Sequence, residues 1–443
     1  MAGSGESSIV PLHVSGFKRA FLGAALLALG IPQLQSCSED DGSSTSAAAR
    51  NGRDSGVSDD VGGAGAAGAA GVAGAAGAAG AVGVAGAAGA AGAAGAVGVA
   101  GAAGAAGATG AVGAAGAAGE NGTDENVVAI VQSETEATSL TREQVKALVT
   151  DAVDQAGGLG FIGDGQTVVL KPNLVTTTTT TGRLPAEANG VTTDWRLAVA
   201  VAELVRERNP SGQILVIEGS VRDTEDAFQQ FGYTSANFGD AVDEFIPLEG
   251  SSCNDPSTDR LVEAESVSGT SYWVDERFLN ADVVISLPVL KTHSQASVTG
   301  ACKNIGIGMT PVGMYGGGGG CTRSFSIINH DSPTALGEWI RDIYSLNPAD
   351  FAVMDGLRGL ANGPEPSWTG GDYNTDVKDM RLILAARDAV ALDTIEALVM
   401  QCDPTHVVYL TLLGDAGFGE NDPANITVVG RQVSEVSQAL SGC

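Results

Sequence analysis

Residues 281–311 read ADVVISLPVLKTHSQASVTGACKNIGIGMTP. The apolar run Val283-Val284-Ile285-Ser286-Leu287 predicts a strand buried on both faces. Pro288 has no N–H to give a ladder, so the strand is expected to stop there. Just beyond come Lys291, Thr292 and His293, then, after a short polar link, Thr299-Gly300-Ala301-Cys302-Lys303-Asn304. Two lysines, a histidine, an asparagine and several hydroxyls thus follow a strand end, in a chain with 23 basic and 52 acidic residues. Open α/β sheets place ligand groups in the loops at carboxyl strand ends. The stretch therefore points to a fold class and to a site together.

Outward from this strand, strand and helix signals alternate. Residues 127–132, 167–170, 214–217, 351–354, 382–385 and 426–429 read as strands. Residues 141–155, 195–208, 223–231, 333–346, 389–401 and 406–413 read as helices. The first helix carries a capping box, Thr141 with Gln144, and an apolar stripe of Val145, Leu148, Val149 and Val153. The second is closed by Asn209-Pro210. The alternation predicts an α/β fold: a single large domain over residues 123–443, with a mostly parallel sheet flanked by helices.

The preceding region has another character. Lys18-Arg19 precede an apolar run over residues 20–31, which is too short to span a bilayer comfortably, so residues 1–37 read as a signal peptide. The segment ends at Leu34-Gln35-Ser36-Cys37, which resembles a bacterial lipobox and makes Cys37 the expected lipidation site. Lys18-Arg19-Ala20-Phe21-Leu22 also resembles the twin-arginine export motif with lysine in the first place. The expected location is the cell envelope, with a lipid on Cys37 as the link to the membrane. Residues 38–61, rich in Ser, Asp, Gly and Ala, read as a flexible spacer. Over residues 62–122 glycine recurs at every third position, mostly as Gly-Ala-Ala. That period is the collagen signature, yet the tract has no proline to pre-set the extended backbone. It reads as a low-complexity stalk, with oligomers expected only if the repeat trimerises.

A formal net charge of −29 excludes nucleic acid as a partner and opposes adhesion to anionic headgroups. The six cysteines, Cys37, Cys253, Cys302, Cys321, Cys402 and Cys443, contain no CxxC spacing, so no iron–sulfur cluster is expected. In an oxidising compartment they allow one or two disulfides, whose pairing the spacing leaves open.

Several of these segments together resemble the family called domain of unknown function 362. They are Lys171-Pro172-Asn173, Leu287-Pro288-Val289-Leu290-Lys291-Thr292-His293, Thr299–Asn304 as quoted above, Asp388-Ala389-Val390-Ala391-Leu392-Asp393 and Gly414-Asp415-Ala416-Gly417-Phe418-Gly419. The resemblance runs from Val127 to Gly430. It implies an exported protein, since members often carry export signals. Some members append ferredoxin modules, whose cysteine spacing is absent here. The family name leaves activity unassigned, so the resemblance implies no catalytic roles.

The residues themselves suggest chemistry. Lys171 with Asn173, Lys291 with His293, and Lys303 with Asn304 each set an ammonium beside a polar partner near a strand end. Ammonium and carboxamide together suit a small anionic ligand, a carboxylate or phosphate. Residues 304–306 read as a helix start whose free N–H groups would add to such a site. His293 and Asp393 are the candidate acid–base groups. His293, His330, Asp331 and Asp355, with Glu218 as a further carboxylate, form a candidate site for a divalent metal. Each has a plain structural reading too: Asp331 as a helix cap, Asp355-Gly356 as a turn, Asp393 as a hydrogen-bond partner of a neighbouring loop. Cys302 beside Lys303 is a candidate nucleophile, and the five glycines 316–320 read as a lid or an insertion. Two functions remain open: an enzyme acting on a small anion, or a non-catalytic surface module that captures one. Convergence of the lysines, His293 and an acid in one closed cleft would favour the enzyme.

Overall fold

A computed structural model describes residues 126–443 apart from 180–181, 222, 249–259, 312–314, 316–327, 329 and 331. The signal-like segment with Cys37, the spacer, the repeat, Asp331 and the glycine run 316–320 lie outside the described residues.

Ten strands make one sheet: β1 (Val127–Gln132), β2 (Thr167–Pro172), β3 (Gln213–Glu218), β4 (Glu244–Pro247), β5 (Val283–Leu287), β6 (Val289–His293), β7 (Ser297–Val298), β8 (Phe351–Leu360), β9 (Val377–Ala386) and β10 (Thr427–Gly430). Its main path runs β10-β1-β9-β8-β5-β2-β3-β4, with β6 on β8 and β7 on β6. From β8 through β5, β2 and β3 to β4 every pairing is parallel. Only β9, antiparallel to both β8 and β1, and the short β7 depart from that sense.

The sheet is buried on both faces, as β1 shows. Val128 and Ile130 belong to one apolar cluster, Ala129 and Val131 to the other. Opposite faces alternate with a period of two along any strand, so the two clusters are the two sides of the sheet. One side is covered by α1 (Arg142–Gln155), α2 (Trp195–Arg208) and α3 (Thr224–Gln230). The other is covered by α4 (Ala301–Gly308), α5 (Pro333–Tyr344), α6 (Ala389–Val399) and α7 (Val408–Asp415). Fully buried valines and isoleucines such as Val128 and Ile130 each contribute roughly 1.5–3 kcal/mol. The Thr141–Gln144 capping box is present on α1. Among the described residues no helix is long and apolar enough to cross a membrane.

Three expectations need correction. Pro288 does not end the strand region, because the chain runs on as β6 and the Pro288 carbonyl still accepts from Asp355 N at 2.8 Å. Proline removes a donor, not an acceptor. Lys291 and His293 therefore sit on a strand rather than in a loop. Asp355-Gly356 is not a turn, since both lie inside the ten-residue β8. There glycine allows a close approach: a Cβ at 356 would stand 3.1 Å from Leu382 Cβ. The connection between α3 and β5 contains β4 and a hairpin of Leu261–Glu265 with Ser271–Asp275.

Candidate anion site at the carboxyl ends of the parallel strands

Because β2, β3 and β5 are parallel, Lys171, Glu218 and Ser286 reach the same edge of the sheet. Lys171 is fully buried, and its Nζ donates to Glu218 Oε1 at 2.7 Å, Pro172 O at 2.5 Å and Asn304 Oδ1 at 3.4 Å. The Glu218 carboxylate is equally engaged, accepting Gly219 N on Oε1 and Leu174 N on Oε2, each at 2.8 Å. The end of α4 closes over this pair, and a Cβ at Gly308 would come within 2.2 Å of Lys171 Nζ.

Asn304 joins this pair to the next lysine. Its Nδ2 donates to Lys171 O at 2.8 Å and Ser286 Oγ at 3.1 Å, while Oδ1 accepts from Asn173 Nδ2 at 3.1 Å. These partners fix the orientation of the amide. Asn173 Oδ1 then accepts from Lys291 Nζ at 2.6 Å, and Val191 O accepts from the same Nζ at 2.7 Å. Lys291 has no carboxylate at ion-pair distance among the described residues. Burial and then the Lys303 ammonium hold its pKa well below the usual lysine value, against the opposing pull of Glu218 and Glu396.

Asn173, Lys291 and Lys303, with Glu218, Thr299 and Pro364, line one cavity of about 40 Å³. That is room for a few water-sized groups. The Thr299 hydroxyl is buried without a hydrogen-bond partner among the described residues. Glu396, which the sequence reading passed over, lies behind Lys291: its Oε1 accepts Lys291 N at 3.3 Å and its Oε2 has no partner among the described residues. Burial and then neighbouring Asp393 raise its pKa well above the usual carboxyl range. The one signal for it was its spacing, three residues after Asp393 on α6 and hence on the same helix face.

Helix α4 starts at Ala301 rather than at Asn304, with Gly300 before it at φ +58°. Its first N–H groups are already engaged: Asp393 Oδ1 accepts Ala301 N at 2.5 Å, and Oδ2 accepts Cys302 N at 3.0 Å and Tyr409 OH at 3.1 Å. The expected extra anion donors are thus used by the chain's own carboxylate. Asp393 faces this helix end, and burial pushes its pKa up to about 6 against those hydrogen bonds. Burial, then Asp393 and Asp388, push the Cys302 thiol up, which is opposite to the activation a nucleophile needs.

His293 is buried on β6, and its Nδ1 accepts Gln295 N and Ala296 N, both at 3.2 Å. The neutral ring therefore carries its proton on Nε2 and offers a donor there, not a metal-binding lone pair. Burial, Lys303, His330 and Lys291 keep it neutral by lowering its pKa well below the usual value. The His330 ring lies 6.1 Å away, with its Nδ1 on Ile328 O at 2.8 Å. Asp355 is engaged elsewhere: it accepts Asp194 N at 2.8 Å and Leu357 N at 3.0 Å, and burial raises its pKa to about 7. Among the described residues no group of three His, Cys, Asp or Glu side chains is placed to hold a metal ion.

Residues 168–397 match the family described as "Domain of unknown function (DUF362)", and residues 52–126 match the collagen triple helix repeat. A thylakoid-associated protein of Synechocystis sp. is 27% identical over 259 residues, 58% of this chain and 70% of that protein. The lactate racemase apoprotein of Thermoanaerobacterium thermosaccharolyticum is a distant structural likeness, with a TM-score of 0.36 at 12% identity over 63% of this chain and 59% of that one.

Proposed function

The chain belongs to the DUF362 family, and from that premise we propose that its α/β domain binds a small anion, a carboxylate or phosphate, in the cavity shared by Lys291 and Lys303. One observation carries this reading. Two buried lysines line one cavity beside a buried hydroxyl that has no partner among the described residues. A buried hydroxyl left unpaired costs roughly 1–3 kcal/mol, and an anion accepting from it would recover that cost. An anion would also relieve the repulsion of Lys291 by Lys303. Asn173, held by Asn304, keeps the Lys291 nitrogen in place for it.

The proposal extends to location: an exported cell-envelope protein, lipid-anchored at Cys37 and presented on the Gly-Ala-Ala stalk. The Cys402–Cys443 disulfide supports this, because such bonds persist in oxidising compartments. Replacing Cys37 with Ser should move the protein from the membrane to the soluble fraction, and unchanged fractionation would refute the anchor.

For the site itself, calorimetric titration of the full chain with inorganic phosphate and with acetate is the test. Binding of one of them, weakened at least tenfold in Lys303→Met, is expected. Absence of binding by both, or equal binding by the variant, would overturn the reading.

A further inference from the structure

The two lysines that anchor this edge of the sheet are chemically unlike. Lys171 Nζ donates to Pro172 O, Glu218 Oε1 and Asn304 Oδ1, enough acceptors for every hydrogen of an ammonium. One of them is a carboxylate at 2.7 Å, so the charge is matched. Lys291 Nζ has two acceptors, Asn173 Oδ1 and Val191 O, and both are neutral. A neutral amine has two hydrogens and one lone pair. Two acceptors satisfy those hydrogens, and among the described residues the nitrogen has no further acceptor.

We propose that Lys291 works as a neutral amine that forms an imine with a small carbonyl compound carrying an anionic group, such as an oxo acid. The inference rests on the anion reading above and names the substrate class for that site. The groups facing Lys291 come from every element around it. Lys303 on α4 supplies a second cation, Glu218 on β3 is held by Lys171 of β2, and Glu396 on α6 meets the Lys291 backbone N–H. His293, on the same strand, is kept neutral beside them. A lysine desolvated by burial and set next to another cation is the environment that makes the amine nucleophilic at neutral pH.

The step balances without an oxidant or reductant. The Lys291 lone pair attacks the carbonyl carbon, and a C–N bond forms as the C=O π bond opens to an alkoxide. Proton transfer from nitrogen to that oxygen gives a carbinolamine. The C–O bond then breaks, C=N forms, and the oxygen leaves as water with both former amine hydrogens. Lys303 would hold the anionic group, and the Thr299 hydroxyl, without a partner among the described residues, is available to the carbinolamine oxygen. The cavity of about 40 Å³ limits the reacting end to a few heavy atoms.

Trapping tests this directly. The full chain is incubated with pyruvate, reduced with sodium borohydride, and mapped by peptide mass spectrometry. A reduced adduct on Lys291 is expected, with none when acetate replaces pyruvate. Lys291→Arg, checked for a native circular dichroism spectrum, should lose the adduct. Lys303→Met should slow trapping several-fold, because the carboxylate loses its cation. A chain that binds phosphate yet gives no adduct at Lys291, or gives equal labelling on all lysines, overturns the imine inference and leaves the anion reading standing. Loss of both signals in folded protein, verified by circular dichroism, overturns the two together.

Discussion

The Lys171 side of the cavity and the Lys291 side use the same residue type to opposite ends. On the first, an ammonium and the Glu218 carboxylate lie 2.7 Å apart at 0% and 3% side-chain exposure, and backbone N–H groups complete the carboxylate. On the second, among the described residues, the Lys291 nitrogen meets only neutral oxygens and the Thr299 hydroxyl nearby lacks a partner. Burial costs both lysines hydration; only the first recovers that cost inside the fold. Under the proposed anion reading, the group left with that cost is the one that meets the ligand. The contrast teaches that burial alone does not separate a structural lysine from a functional one, whereas the nature of its acceptors does.

The comparison breaks most readily in stability. Lys171→Met leaves Glu218 buried without its cation and should cost about 3–5 kcal/mol in chemical denaturation. Lys291→Met strands only two neutral acceptors and should cost about 1–3 kcal/mol. Equal losses would mean that the two lysines play the same structural part.

A pH series sharpens the contrast next. Lys291 has a folded pKa well below the 10.5 of the unfolded chain, so between those values the unfolded state binds more protons. Its contribution must therefore rise as pH climbs through that window, and fall as the folded chain is forced to take the proton. The difference between wild-type and Lys291→Met stability curves should shift in favour of the wild type with rising pH. A flat difference would show that Lys291 is an ordinary ammonium in the fold.

The smallest effect is expected at Thr299. Thr299→Val removes a hydroxyl without a partner among the described residues, so stability should change by less than about 1 kcal/mol or improve slightly. Affinity for phosphate should nevertheless drop by roughly fivefold, the worth of about 1 kcal/mol of hydrogen bonding. An unaltered affinity would remove Thr299 from the site.

Much of this was legible in the residues. The apolar strand β5, the lysine pairs and the alternation of strands and helices led to an α/β domain with Asn173, Lys291 and Lys303 on one cavity. What escaped has physical reasons. β6 was hidden because Pro288 suggests an end, although a proline carbonyl still accepts from the neighbouring strand. Glu396 was hidden because α6 is apolar almost all round and reads as core, and nothing local shows that one of its carboxyls reaches the Lys291 backbone. Asp393 was seen, but its partner N–H groups lie 91 and 92 residues earlier. The antiparallel sense of β9 is likewise set by tertiary pairing.

The position of β1 carries a consequence for how the protein is made. Val128 pairs with Ala386 on one side, and Val127 pairs with Thr427 on the other. The first strand of the domain to be synthesised is therefore flanked by two of the last. During translation both its edges stay open and its valines and isoleucine stay unburied, while the ribosome completes nearly the whole domain. Such distant pairing slows folding and lengthens the exposure of that strand until β9 and β10 arrive.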